Sequence, residues 1–207
     1  MALVKYNNNS LSAITTPGAM SAGAMTLIKE QTASSSATIS FVDGTSDVDI
    51  DATYPIYLIK IINAHPASDD QHFNMQFNSS GGSGFNETIT STHFYAMHEE
   101  DDGGTTLTYD TGGDQAQGTS YQRLSQPVGA DNDQSLSGEI WLFNPSSTTF
   151  VKPFISRVCY SYPTDEMQEA YVAGYINTTS AIDEVSFKFT SGNIDSGTFK
   201  LYGIKDS

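Results

Sequence analysis

The chain contains a single cysteine, Cys159, which excludes an internal disulfide framework and any zinc site built on cysteines. Basic residues are scarce too. Nine Lys and Arg stand against 24 Asp and Glu, a formal net charge of -15 over 207 residues. Neutralising phosphates needs clustered cations, so no nucleic acid is expected as a partner, and an anionic membrane surface is disfavoured for the same reason. No apolar run approaches the roughly 18 residues that cross a bilayer as a helix. Met1 to Tyr6 (MALVKY) lacks the charged start and long apolar core of a secretory signal, so export through a membrane is not expected. Long helical periodicity is missing, and no repeat of fixed period suggests a solenoid, a propeller or a repetitive fibre shaft.

What the chain does contain is short segments with a period of two. Ile39 and Phe41 share a face before Asp43-Gly44; His72 to Phe77 and Val185 to Thr190 alternate strictly. Such spacing places every second side chain on a core and the rest in solvent. Tyr54 to Ile62 (YPIYLIKII) is nearly continuous apolar, as for a strand covered on both sides. Ile140 to Phe143 stops at Asn144-Pro145, and in Ala170 to Ile176 the residues Ala170, Val172, Gly174 and Ile176 form one face. Thr90 to Glu100 is ambiguous: Phe94, Met97 and His98 have helical spacing, yet a strand fits equally. About ten strand candidates without βα alternation predict an all-β fold, an antiparallel β-sandwich, with a jelly roll as the expected member of that class.

Residues 1–24 differ in composition. Asn7-Asn8-Asn9-Ser10, Thr15-Thr16-Pro17-Gly18 and a run of small residues read as an extended arm, with Leu3, Val4, Leu11 and Ile14 as its only bulky aliphatics. The sandwich is expected over 25–207. Its most polar part, about 99–135, reads as long exposed loops over one end of the body, with two short strand candidates, Leu107 to Tyr109 and Tyr121 to Leu124, inside it.

Candidate chemistry is thin. Asp47, Asp49 and Asp51 alternate, and hard oxygen ligands on one face of an extended chain suit calcium. The EF-hand pattern fails, since its glycine position holds Ala52 and its final glutamate position holds Leu58. A strand with Val48 and Ile50 buried and the three aspartates in solvent is the favoured reading, so no metal is assigned. His65, His72, His93 and His98 show no metal-ligand spacing and read as ordinary polar or half-buried residues. Glu99-Glu100-Asp101-Asp102 could offer the carboxylate pair of a glycosidase, but adjacent acids beside Gly103-Gly104 favour a solvated loop. No nucleophile elbow, phosphate loop or dinucleotide fingerprint occurs, and Cys159 reads as a small buried hydrophobe. No catalytic residue, no cofactor and no enzymatic activity are therefore expected. Trp141, Tyr160, Tyr162, Tyr171, Tyr175 and Tyr202 lie in strand candidates, and those facing outward suit a subunit interface or the stacking of sugar rings.

MALVKYNNNSLSAIT (Met1 to Thr15) and SGNIDSGTFKLYGI (Ser191 to Ile204) resemble the two ends of small virion proteins of marine tailed bacteriophages, of the kind found in cyanophages. LSGEIWLFNPSSTTFVKPFIS (Leu136 to Ser156) and VAGYINTTSAIDEVSFKFTSGN (Val172 to Asn193) are similar to that group as well. The resemblance implies a non-enzymatic structural protein on the exterior of the virion, made in the cytoplasm of a host bacterium. The expected role is a capsid decoration or cement protein assembling as a homotrimer. The arm would contact the major capsid protein or another virion protein. A tail fibre or receptor-binding module, contacting a host surface glycan, is the alternative.

Overall fold

A computed structural model describes residues 24–205. The chain forms twelve strands and no helix among these residues. They are β1 (Met25–Ser36), β2 (Ile39–Val42), β3 (Ile56–Pro66), β4 (Gln71–Ser79), β5 (Ile89–Glu99), β6 (Thr105–Tyr109), β7 (Gln122–Val128), β8 (Leu136–Phe143), β9 (Lys152–Tyr162), β10 (Glu166–Ile176), β11 (Ile182–Phe189) and β12 (Ile194–Ile204). Eight form one sheet in the order β1-β12-β3-β8-β9-β10-β5-β6, and four form a second, β2-β11-β4-β7. Every pairing is antiparallel. Apart from β5–β6 and the run β8–β9–β10, each connection carries the chain from one sheet to the other. The all-β sandwich follows from the period-two segments. The arm over 1–24 lies, except for Ala24, outside the described residues.

The two sheets close on one core. Phe73 and Phe187 of the small sheet stack with centroids 6.0 Å apart, and both meet Phe199 of the large sheet, at 6.2 and 5.8 Å. Farther along, Phe77 meets Phe154 at 5.8 Å. Burying such rings supplies the largest apolar contribution per residue, and their tilted geometries suit the quadrupoles. On β9 the alternation is complete: Lys152, Phe154, Ser156, Val158 and Tyr160 are buried, and the residues between them face out. Gly174 is on the inner face of β10, where a Cβ would sit 2.6 Å from the Thr90 carbonyl oxygen and 2.9 Å from the Phe154 ring. Only a residue without a side chain fits that approach.

One open reading is settled and three expectations are corrected. Thr90 to Glu100, which fits helix and strand equally by spacing, is strand β5 as far as Glu99: Ser91 and His93 point inward while Thr92 and Phe94 point outward. Full pairing with β10 along its length outweighs the weak helical spacing. The two strand candidates within 99–135 are present as β6 and β7, but the stretch is not exposed throughout: Gln122, Leu124, Ser125 and Val128 are buried. In β4 the alternate residues Asn74, Gln76 and Asn78 are buried instead of solvated, because loops fold over the outer face of the small sheet. Gln76 Nε2 donates to the carbonyls of Glu87, Thr119 and Ser120 at 2.8–3.2 Å, which pins those loops down. Strand β3, expected to be covered on both sides, is covered by the core on one side only. Among the described residues no further layer lies on its other face, where Ile62 is exposed and Leu58 is hidden only by its neighbours in the sheet.

Candidate functional site

The aspartate run is a loop, not a strand. Asp47 lies at φ 63° and no strand includes residues 47–51, yet Val48 and Ile50 are buried and Asp47, Asp49 and Asp51 are exposed. Asp51 closes a local turn: its carboxylate accepts from Thr53 N at 2.8 Å and Thr53 Oγ1 at 3.0 Å. Those bonds, with a further one from Tyr57 Oη, hold its carboxyl below the usual range. Among the described residues, no group of three or more His, Cys, Asp or Glu side chains could hold a metal ion. Glu99 to Asp102 make the β5–β6 turn and share an open cleft with Thr164 and Asp165. His98 Nε2 lies 3.2 Å from Asp102 in that exposed turn.

Cys159 is exposed on the outer face of β9, not buried, because it falls on the outward phase of the alternation. Partial desolvation of its sulfur, then the facing Glu169 carboxylate, push the thiol pKa up. A raised pKa disfavours the thiolate.

His93 is the residue that spacing arguments misjudge most. It is fully buried on the inner face of β5, not half-exposed. Asp110, just after β6, brings a carboxylate oxygen 3.5 Å from His93 Nδ1 and 3.4 Å from Arg123 Nη1. The same carboxylate accepts from Gln126 Nε2 at 2.5 Å and Gly112 N at 2.9 Å. Burial opposes its ionisation, but those two bonds and the neighbouring cations outweigh burial and lower its pKa. For His93 burial dominates and lowers the pKa to about 4, against an opposing pull from Asp110. Neither ring nitrogen has a hydrogen-bond partner among the described residues. The imidazole therefore sits neutral beside a carboxylate, and among the described residues no hydroxyl or thiol hydrogen-bonds to it. Above it opens a groove of about 410 Å³, lined by His72, Asn74, Tyr121, Arg123 and Thr190 and by the loop 112–115. Lys188 Nζ sits 4.2 Å from the Tyr121 ring centroid at its edge.

Asp110, Arg123 and Gln126 carry no motif, and nothing in the local sequence joins them. Lys152 is missed as well: it occupies the buried phase of β9, and its ammonium donates to the carbonyls of Thr178, at 3.0 Å, and Ser180. Burial lowers its pKa, with Glu87 opposing.

The aromatics divide by phase. Tyr160 is buried and its hydroxyl donates to Gln168 at 3.1 Å, whereas Trp141, Tyr171, Tyr175 and Tyr202 stand on the outer face of the large sheet. Strand register aligns that face in rows. Leu27, Tyr202, Leu58, Trp141, Ile155 and Ala173 are successive partners across six strands. The adjoining row reads Glu30, Lys200, Lys60, Glu139, Arg157 and then Tyr171. Lys200 and Glu30 pair at 3.0 Å, Arg157 pairs with Glu169, and Trp141 Nε1 donates to Glu139 at 3.1 Å. Phe94 stacks on Tyr171 with centroids 5.1 Å apart. Comparison with protein-family models, with curated proteins and with solved structures finds no match to this chain.

Proposed function

We propose that this chain is a non-enzymatic structural protein of a tailed bacteriophage, carried on the outside of the virion as a trimeric capsid decoration or cement protein. The observation that carries the reading is the strand order. β1-β12-β3-β8 facing β2-β11-β4-β7 is the order of a jelly roll, with the hairpin β5–β6 and the hairpin β9–β10 as insertions that widen one sheet. Two nested Greek keys of this kind build many viral capsid domains. The sequence resemblance at both ends and in the middle of the chain supports the same assignment, and the net charge of -15 suits a surface kept away from packaged DNA. Residues 1–24 serve as the attachment segment, and multiple copies strengthen weak individual contacts by avidity. Deleting residues 2–20 should abolish incorporation into particles while leaving a folded body. Normal incorporation of the truncated protein would refute the attachment role. Copy number from quantitative mass spectrometry of purified virions tests the position: hundreds per particle for a decoration protein, far fewer for a fibre.

A second reading, a receptor-binding module of a tail fibre, draws on the groove beside Tyr121. An aromatic face with Asn74, Arg123 and Asp114 around it has the polar and stacking groups that a sugar needs. A glycan array with the wild type and Tyr121→Ala distinguishes it: signal lost in the variant favours the fibre, and no signal in either removes it.

A further inference from the structure

Among the described residues, the outer face of the eight-stranded sheet holds most of the exposed apolar surface. Ten large hydrophobic residues among them are strongly exposed, and eight of those ten (all but Phe150 and Val151) lie on this face. The small sheet is different, because loops held by Gln76 cover its outer side. The large sheet has no such cover among the described residues.

The charge there is unusual for this chain. Glu30, Glu139 and Glu169 are matched by Lys60, Arg157 and Lys200, so the face is neutral while the whole chain carries -15. We infer that this face binds a second copy of the same chain, with the Leu27–Ala173 row at the centre of the contact. Two molecules of like charge repel wherever their acidic surfaces meet, and this face lets them approach without that cost. The Glu30, Lys200, Lys60, Glu139, Arg157 row carries both signs, so a second copy can lay acids against bases on it. The size is adequate. Six strands about 4.8 Å apart and four rows about 6.8 Å apart give roughly 500–600 Å² per copy, or about 1,000–1,200 Å² in total, which reaches the range of specific interfaces. On β3 the second side presents Ile62 to solvent beside Lys60. The chain's own first 24 residues are the rival occupant, but their four bulky aliphatics are too few to cover six strands of apolar side chains.

This inference rests on the proposed assembly role only in taking the chain to self-associate: a face that binds its own copy closes a pair, a contact separate from the three-fold one. Its test needs no virion, so failure of one leaves the other standing. The test is sedimentation of the full chain over a range of concentrations, with alkylation of Cys159, which lies on the same face two rows from the central one, as a footprint. Wild type should associate and protect Cys159. Ile155→Glu, a change at an exposed site that leaves the monomer folded, should weaken association at least about tenfold, because it buries an unpaired carboxylate. It should also expose Cys159. Phe150→Glu, off the face, should leave both readouts as in wild type. A wild type that stays monomeric overturns the inference, as does an Ile155→Glu protein that associates as tightly as wild type. If Cys159 is protected in a monomer and deletion of residues 2–20 removes the protection, the occupant is the arm and the inference is wrong.

Discussion

His93 enters the fold without a charge, and that makes acid a denaturant with a definable window. Its folded pKa, about 4, lies below the ordinary 6.5, so between those values the unfolded chain binds a proton that the native chain refuses. Stability is therefore intact above pH 6.5 and falls as pH drops toward 4, by about 3 kcal/mol for this group alone. Burial also lowers the pKa of His72, adding a loss of the same sign, and Asp110 adds one at still lower pH. Urea unfolding at pH 7 and pH 4.5 should show the loss, and His93→Gln should reduce it; an unchanged acid sensitivity in that variant would mean that other groups dominate. Lys152 offers a second residue-scale test. Lys152→Ala strands the Thr178 and Ser180 carbonyls that its ammonium satisfies, and should cost about 2–4 kcal/mol by urea unfolding. A cost under about 0.5 kcal/mol would show those carbonyls to be satisfied by water. The burial of Lys152 follows the phase of its strand. That of His93 could not be read from the sequence, because it depends on Asp110 and on Gly113, whose Cβ would lie 2.8 Å from the imidazole.

At the scale of the element, alternation was a sound guide to which side chains face the core and a poor one to what lies on the other side. β9 and β10 follow their pattern residue by residue, down to Gly174 on the inner face. Gly174→Ala should destabilise by about 1–3 kcal/mol, since a methyl group must push Thr90 and Phe154 aside. Thermal unfolding reads this, and a melting temperature equal to that of wild type would show that the β5–β10 pair can spread at no cost. For β5 the period was ambiguous, and pairing with β10 over its whole length decided it. For β4 the period was clear but the inference of solvation failed, because Asn74 and Gln76 take partners from loops distant in sequence. The Asp47–Asp51 loop kept its alternating burial without any strand, so alternation reports burial phase even where no ladder forms.

At the scale of the whole molecule, the balance of acids and bases governs how copies meet. Raising NaCl from about 0.1 M to about 1 M shortens the Debye length from about 10 Å to about 3 Å, which screens the repulsion between two chains of charge -15. Self-association through the neutral, apolar face should therefore tighten with salt, as sedimentation would read; weakening with salt would mean that ion pairs dominate the contact. Composition and periodicity by themselves determined the all-β class and the approximate strand positions, because those properties follow from residue type and local spacing. Only the tertiary structure decided which sheet lies open, that Cys159 faces out, and that His93, Asp110 and Arg123 meet. Each of these depends on which strands become neighbours, and that pairing is set by contacts between residues far apart in the chain.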